Sequence, residues 1–212
     1  MKKLRRRTFE NPEPAPTIIR RIPRKYINDI SGFDFSDEIS KTLLQNRIVL
    51  LAGEIDVAEA IDTTRELMYV ALINNSKAPI TVVLNSVGGG VYEGLLIYNT
   101  IKDLTRKDVV VNVEVRGLAA SMACIILQAG THRVSTKATR FLIHEVASGE
   151  YGKVSEMEEG VEEIRKVNNL LRDILSERSG KPKEVIDKLW SKKDVWYSAE
   201  EAKDFGLVDE IV

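Results

Sequence analysis

"DVVVNVEVRGLAASMACIILQAG", residues 108–130, passes from a β-branched run through a glycine into small residues and out into a second apolar run. The valines between 109 and 115 suit a pleated, buried surface and Gly117 closes their run, so 108–117 reads as a strand. Residues from about Ser121 to Gln128 are mostly apolar, which predicts an apolar helix directly after that strand. Such a corner leaves the first N–H groups of the helix unpaired and turned outward, where negative charge is favoured. Ser121 stands there with two readings open. It caps the helix, as serines often do, or it exposes a nucleophilic Oγ whose neighbouring N–H serves an oxyanion.

The same alternation extends to either side. "ITVVLN" (80–85) reads as a buried strand entering "SVGGG" (86–90), after which Val91, Leu95, Tyr98 and Ile101 mark one helix face. "RIVLLAG" (47–53) is a strand closed by glycine. Asp56 and Glu59 then form a capping-box pattern, and Ile61, Met68 and Leu72 trace a helix to about Asn75. "TRFLIHEV" (139–146) is a further strand. Strand–helix units in series predict an α/β domain with a largely parallel core. From Val154 to Gly180 lies a long helix with two adjoining apolar stripes, one of Met157, Val161, Ile164, Leu171 and Leu175, the other of Val167, Leu170 and Ile174. It carries too much apolar surface for a simple surface helix, and reads as a projecting element that packs on another subunit, with a helix buried in its own domain as the alternative.

Charge divides the chain. Residues 1–25 hold nine Lys/Arg against Glu10 and Glu13, leaving 22 basic and 30 acidic residues in the remainder. Residues 1–28 read as a basic, proline-containing flexible arm, and 29–212 as the folded domain. The acidic body and an arm nearly without aromatics argue against nucleic-acid binding. The N-terminus has charge but no apolar core of a secretory signal, no stretch is long enough to span a membrane, and Cys124 is the sole cysteine, so a cytoplasmic location is expected.

A nucleophilic serine needs a base, and histidine suits that role near neutral pH. There are two. His132, in "AGTHRVS", reads as a surface residue in a turn, whereas His144 ends the apolar run "FLIH". Spacing does not choose the orienting carboxylate, and Glu145 is adjacent to His144. "SVGGG" is neither a dinucleotide fingerprint nor a Walker loop, so no cofactor or metal is expected.

The joint order of these segments, a Gly-Gly corner, G-x-A-A-S-M, a histidine in an "IH" strand end, a long helix and an Asp before "YSAEEAKDFGLVDEIV", resembles the ClpP family of proteolytic subunits over about residues 37–212. The resemblance implies a ClpP/crotonase-type fold with the long helix as a projecting handle. It implies a serine endopeptidase with Ser121 as nucleophile, His144 as base and Asp194 as orienting acid. It also implies an oxyanion hole at the N–H groups of Gly89 and Met122, and an extended substrate paired between Gly89–Gly90 and residues Ala147, Ser148 and Gly149. The implied partners are unfolded polypeptides, further copies of the chain in stacked heptameric rings forming a tetradecamer, and an AAA+ unfoldase of the ClpX, ClpA or ClpC type. Two departures stand out: "SVGG" replaces the family's S-P-G-G, and the family's R-G-E-R-x-Y-D-I run before the first strand is absent. An unfoldase-independent processing protease, as in phage head maturation, is the nearest alternative. A crotonase-like acyl-CoA enzyme and an inactive ring scaffold are the others.

Overall fold

The computed structural model describes residues 35–73, 78–147, 152–190 and 194–212. The arm expected over 1–28 lies outside the described residues, as do Ser148 and Gly149. Apolar residues at every second position make the first strands: β1 (Ile48–Ile55), β2 (Ile80–Gly89) and β3 (Val111–Ala120) pair in parallel, with Val49, Leu51, Val82, Leu84, Val113 and Val115 all buried on one face. Helices cover that face. They are α2 (Val57–Leu72), α3 (Val91–Arg106) and the fully buried α4 (Met122–Leu127), while α1 (Phe35–Gln45) precedes β1. The α/β architecture expected from the alternation is therefore present.

Several elements differ from the sequence reading. β3 does not stop at Gly117 but continues to Ala120, because Gly117 takes φ +108 and lets the strand change neighbours there. Before it, Asn112–Val115 pair with β4 (His132–Ser135); after it, Leu118–Ala120 pair with β5 (Arg140–His144). His132 thus opens a short strand rather than sitting in a turn. α2 is capped as expected, with Asp56 Oδ1 accepting from Glu59 N–H at 2.8 Å. Its expected stripe is nevertheless the outward one, since Ile61, Met68 and Leu72 are 52%, 53% and 81% exposed while Ala60, Thr63, Leu67 and Val70 face the core.

The long helix α5 (Val154–Ser179) ends where expected, at Gly180 in the left-handed conformation. The alternative of a helix buried in its own domain holds for its second half. Val167, Leu171, Ile174 and Leu175 are buried in this chain's core, whereas Val154, Val161 and Leu170 stay exposed. After α6 (Lys183–Trp190), β6 (Asp194–Ser198) runs antiparallel to β5, α7 (Ala199–Phe205) follows, and β7 (Glu210–Ile211) closes the sheet beside β4. Buried Arg133 ties this end together, bonding Gln128 Oε1 (2.6 Å), Gly206 O (2.8 Å) and the Asp209 carboxylate. Burial pushes the Asp209 carboxyl up, but the bonds and charge of Arg133 outweigh it and hold it below the ordinary range. Among the described residues no helix is long and apolar enough to cross a membrane.

Candidate active site

Ser121 connects β3 to α4 at φ +55 and ψ −125, a conformation that costs a non-glycine residue on the order of 1–3 kcal/mol. Neighbours hold it there. Its N–H donates to Leu142 O on β5 (2.9 Å) and its C=O accepts from Cys124 N–H (3.0 Å). The side chain makes no capping bond, so the capping role does not account for this serine. A strained strand-to-helix turn presents a hydroxyl outward, away from the helix it begins.

Ser121 opens on a cavity of about 220 Å³ that Gly89, Met122, His144, Val146 and Ala147 also line, above an apolar floor of Ile125, Ile143, Leu171, Leu175 and Trp190. The glycine corner reaches it through close backbone contact. Gly88, at φ +88, lies so near the serine turn that a Cβ would stand 2.7 Å from Ser121 Cβ, and Gly89, at φ +153, lies equally tightly on Ile55 O. Ser86, singled out by sequence only as part of the corner, is the buried brace: its Oγ donates to Gly53 O (2.6 Å) and accepts from Gly88 N–H (3.0 Å). Gly90 N–H donates to Ile55 O (2.8 Å) and Gly90 O accepts from Gly94 N–H (2.9 Å). Of the expected Gly89–Gly90 pair, Gly89 is the residue that lines the cavity.

His144 and Asp194 occupy the ends of β5 and β6 and are direct partners in the antiparallel register. Spacing alone could not reveal this, since the pairing spans α5 and α6. The ring's Nδ1 stands 2.6 Å from Glu145 O, and a carbonyl only accepts, so Nδ1 carries the hydrogen and Nε2 is left as the basic nitrogen. That hydrogen goes to the Glu145 backbone in this structure, not to Asp194 or to the Glu145 carboxylate. His132 is elsewhere, with Nε2 3.0 Å from Glu210. Cys124, one turn beyond Ser121, is buried with Sγ 3.0 Å from Ala119 O, and burial pushes its thiol up to about 12.

The sequence profile of Clp protease matches residues 32–212. The chain belongs to the Clp protease family. A Rhodococcus jostii protein, "ATP-dependent Clp protease proteolytic subunit 3", is 35% identical over 86% of this chain and 89% of its own. The Bacteroides fragilis "ATP-dependent Clp protease proteolytic subunit" is 34% identical over 82% and 83%. Subunit 3 of Streptomyces coelicolor is 31% identical over 94% of this Clp protease and 89% of its own length. The serine corner, the glycine corner and the β5–β6 pair all lie within the matched residues.

Proposed function

We propose that this Clp-type serine protease hydrolyses peptide bonds with Ser121 as nucleophile, His144 as general base and Asp194 as the orienting acid. The observation that carries the reading is the backbone of Ser121, a strained non-glycine residue over an apolar cavity that His144 also lines. His144 Nε2 takes the Ser121 proton as Oγ attacks the scissile carbonyl, then returns it to the leaving amine. The tetrahedral oxygen is met by Gly89 N–H and Met122 N–H, and the cavity floor accepts an apolar side chain of the substrate. Substrate pairing falls to Gly89 and Ala147, with Ser148 and Gly149 proposed from the resemblance alone.

As substrate binds, Asp194 joins Glu145 O as an acceptor of the Nδ1–H, which stays on the ring. Catalytic hydrogen bonds commonly tighten only in the substrate complex, and the β5–β6 register holds the acid opposite the ring. The relatives' names as proteolytic subunits of ATP-dependent proteases support assembly with further subunits and work with an ATP-dependent partner, and stacked rings are proposed from the resemblance alone. The exposed Ile61, Met68 and Leu72 on α2 and Val154 and Val161 on α5 offer apolar surface for such contacts. The test is Ser121→Ala. It should retain the native mass, lose fluorophosphonate labelling and lose peptide hydrolysis by on the order of 10⁶ in kcat. Labelling at another residue, with turnover retained, would refute the assignment.

A further inference from the structure

Asn168 lies in the anchored half of α5, 5% exposed, and does not border the cavity that Ser121 opens on. Its Oδ1 nevertheless accepts from two groups that do, the Val146 N–H (3.1 Å) and the Trp190 Nε1–H (2.7 Å). The Val146 N–H belongs to the peptide unit joining Glu145 to Val146. The carbonyl of that same unit holds His144 Nδ1–H at 2.6 Å. In a planar trans peptide the N–H and C=O point in opposite directions, so a residue that fixes one edge fixes the aim of the other. Asn168 is thus joined to the imidazole through one rigid plane. The Trp190 bond in turn holds the amide of Asn168, so that its oxygen stays turned toward Val146.

Resting on the reading of His144 as general base, we infer that Asn168 is a positioning residue: through the Glu145–Val146 peptide it sets where the His144 ring stands before substrate arrives. An amide is well suited to this place, because one oxygen has two lone pairs for the two donors. Leucine matches its size and offers none. Aspartate keeps the oxygen.

The experiment measures kcat and KM for a short peptide, per active site counted by fluorophosphonate end-point labelling, in the assembled full chain. Asn168→Leu should lower kcat per labelled site about 10- to 100-fold with KM within twofold, since a misplacement near 1 Å costs on the order of 10² in rate. Asn168→Asp should recover most of that loss. Counting sites removes variants that merely fold less well. Trp190→Phe keeps the ring and deletes the N–H, so it should lower kcat less than the leucine change, and the double variant should be no worse than Asn168→Leu alone. Should the leucine variant not assemble, Trp190→Phe decides, with lowered kcat and faster hydrogen exchange at the Val146 amide as the expected pair. The inference is overturned by an Asn168→Leu kcat per site within twofold of the parent or above it. It is equally overturned by an aspartate variant as slow as the leucine one, or by unchanged kcat in Trp190→Phe where that variant decides. His144→Ala separates the two levels: full turnover there removes the general-base reading, whereas a dead His144→Ala beside an unimpaired Asn168→Leu removes only the positioning role.

Discussion

Replacing Gly88 by alanine adds one methyl group at the back of the serine turn. That methyl carbon would stand 2.6 Å from Ala120 O and 2.7 Å from Ser121 Cβ, where ordinary contact begins near 3.4 Å. The shortfall from 2.7 to 3.4 Å obliges the corner to withdraw by about 0.7 Å. Gly89 is the next residue, so its N–H moves by a similar amount from where the oxyanion forms. Donors act there over a window only some tenths of an ångström wide, and loss of one such donor costs about 10²–10³ in kcat. Gly88→Ala should accordingly lower kcat about 10²-fold with little change in KM, because the displaced bond belongs to the transition state. The positive φ adds roughly 1–2 kcal/mol of destabilisation. Gly180→Ala is the matched control: it has φ +69 and nothing within 4 Å of the added carbon, so it should lose comparable stability while keeping kcat. Steady-state hydrolysis of a fluorogenic peptide, with site counting and native mass, reads both. A Gly88→Ala enzyme of unchanged mass and kcat within threefold of the parent would refute the oxyanion geometry.

Three further outcomes follow from the same structure. Native protein should resist iodoacetamide at Cys124 and react only on unfolding, because the thiol is buried and pushed up to about 12; rapid native alkylation, followed by mass spectrometry, would contradict its placement. Asp194→Asn should lower kcat by up to about 10⁴, whereas His132→Ala should leave the pH dependence of kcat/KM in place, and a reversal of these effects in pH-rate profiles would exchange the roles. Asp209 has a folded pKa below its unfolded one, so its contribution to stability is complete above the ordinary carboxylate range and is lost as pH falls through the folded value. Thermal melts from neutral pH down to pH ~3 should therefore show a shallower acid decline in Asp209→Asn than in the parent, and parallel curves would rule out this linkage.

The strands around Ser121 were legible because buried parallel strands are near-continuous apolar runs, and His144 was legible because a polar ring ending such a run needs a partner. β4, β6 and β7 were not, since at 4, 5 and 2 residues they have too few positions to show a period, and their pairing is set by residues far along the chain. Periodicity located α2 but misassigned its face. Ile61, Met68 and Leu72 are spaced as a core stripe would be, yet the buried side carries Ala60, Thr63, Leu67 and Val70. The strained turn at Ser121 is a backbone angle that no side-chain pattern encodes. Asn168 left no signal, because an asparagine next to a second one, Asn169, looks solvated until its two donors are known.

The change of partner within β3 has a mechanical meaning. Leu118, Ala119 and Ala120, with the Ser121 N–H on Leu142 O, tie β5 to the main sheet, while five residue pairs tie β5 to β6. His144 and Asp194 thus share one ribbon that joins β3 beyond Gly117, so any displacement of that ribbon would carry the two residues together. Such a displacement would leave His144 and Asp194 in register with each other while changing their distance from Ser121, so the proposed triad could be taken apart without unfolding any of its strands.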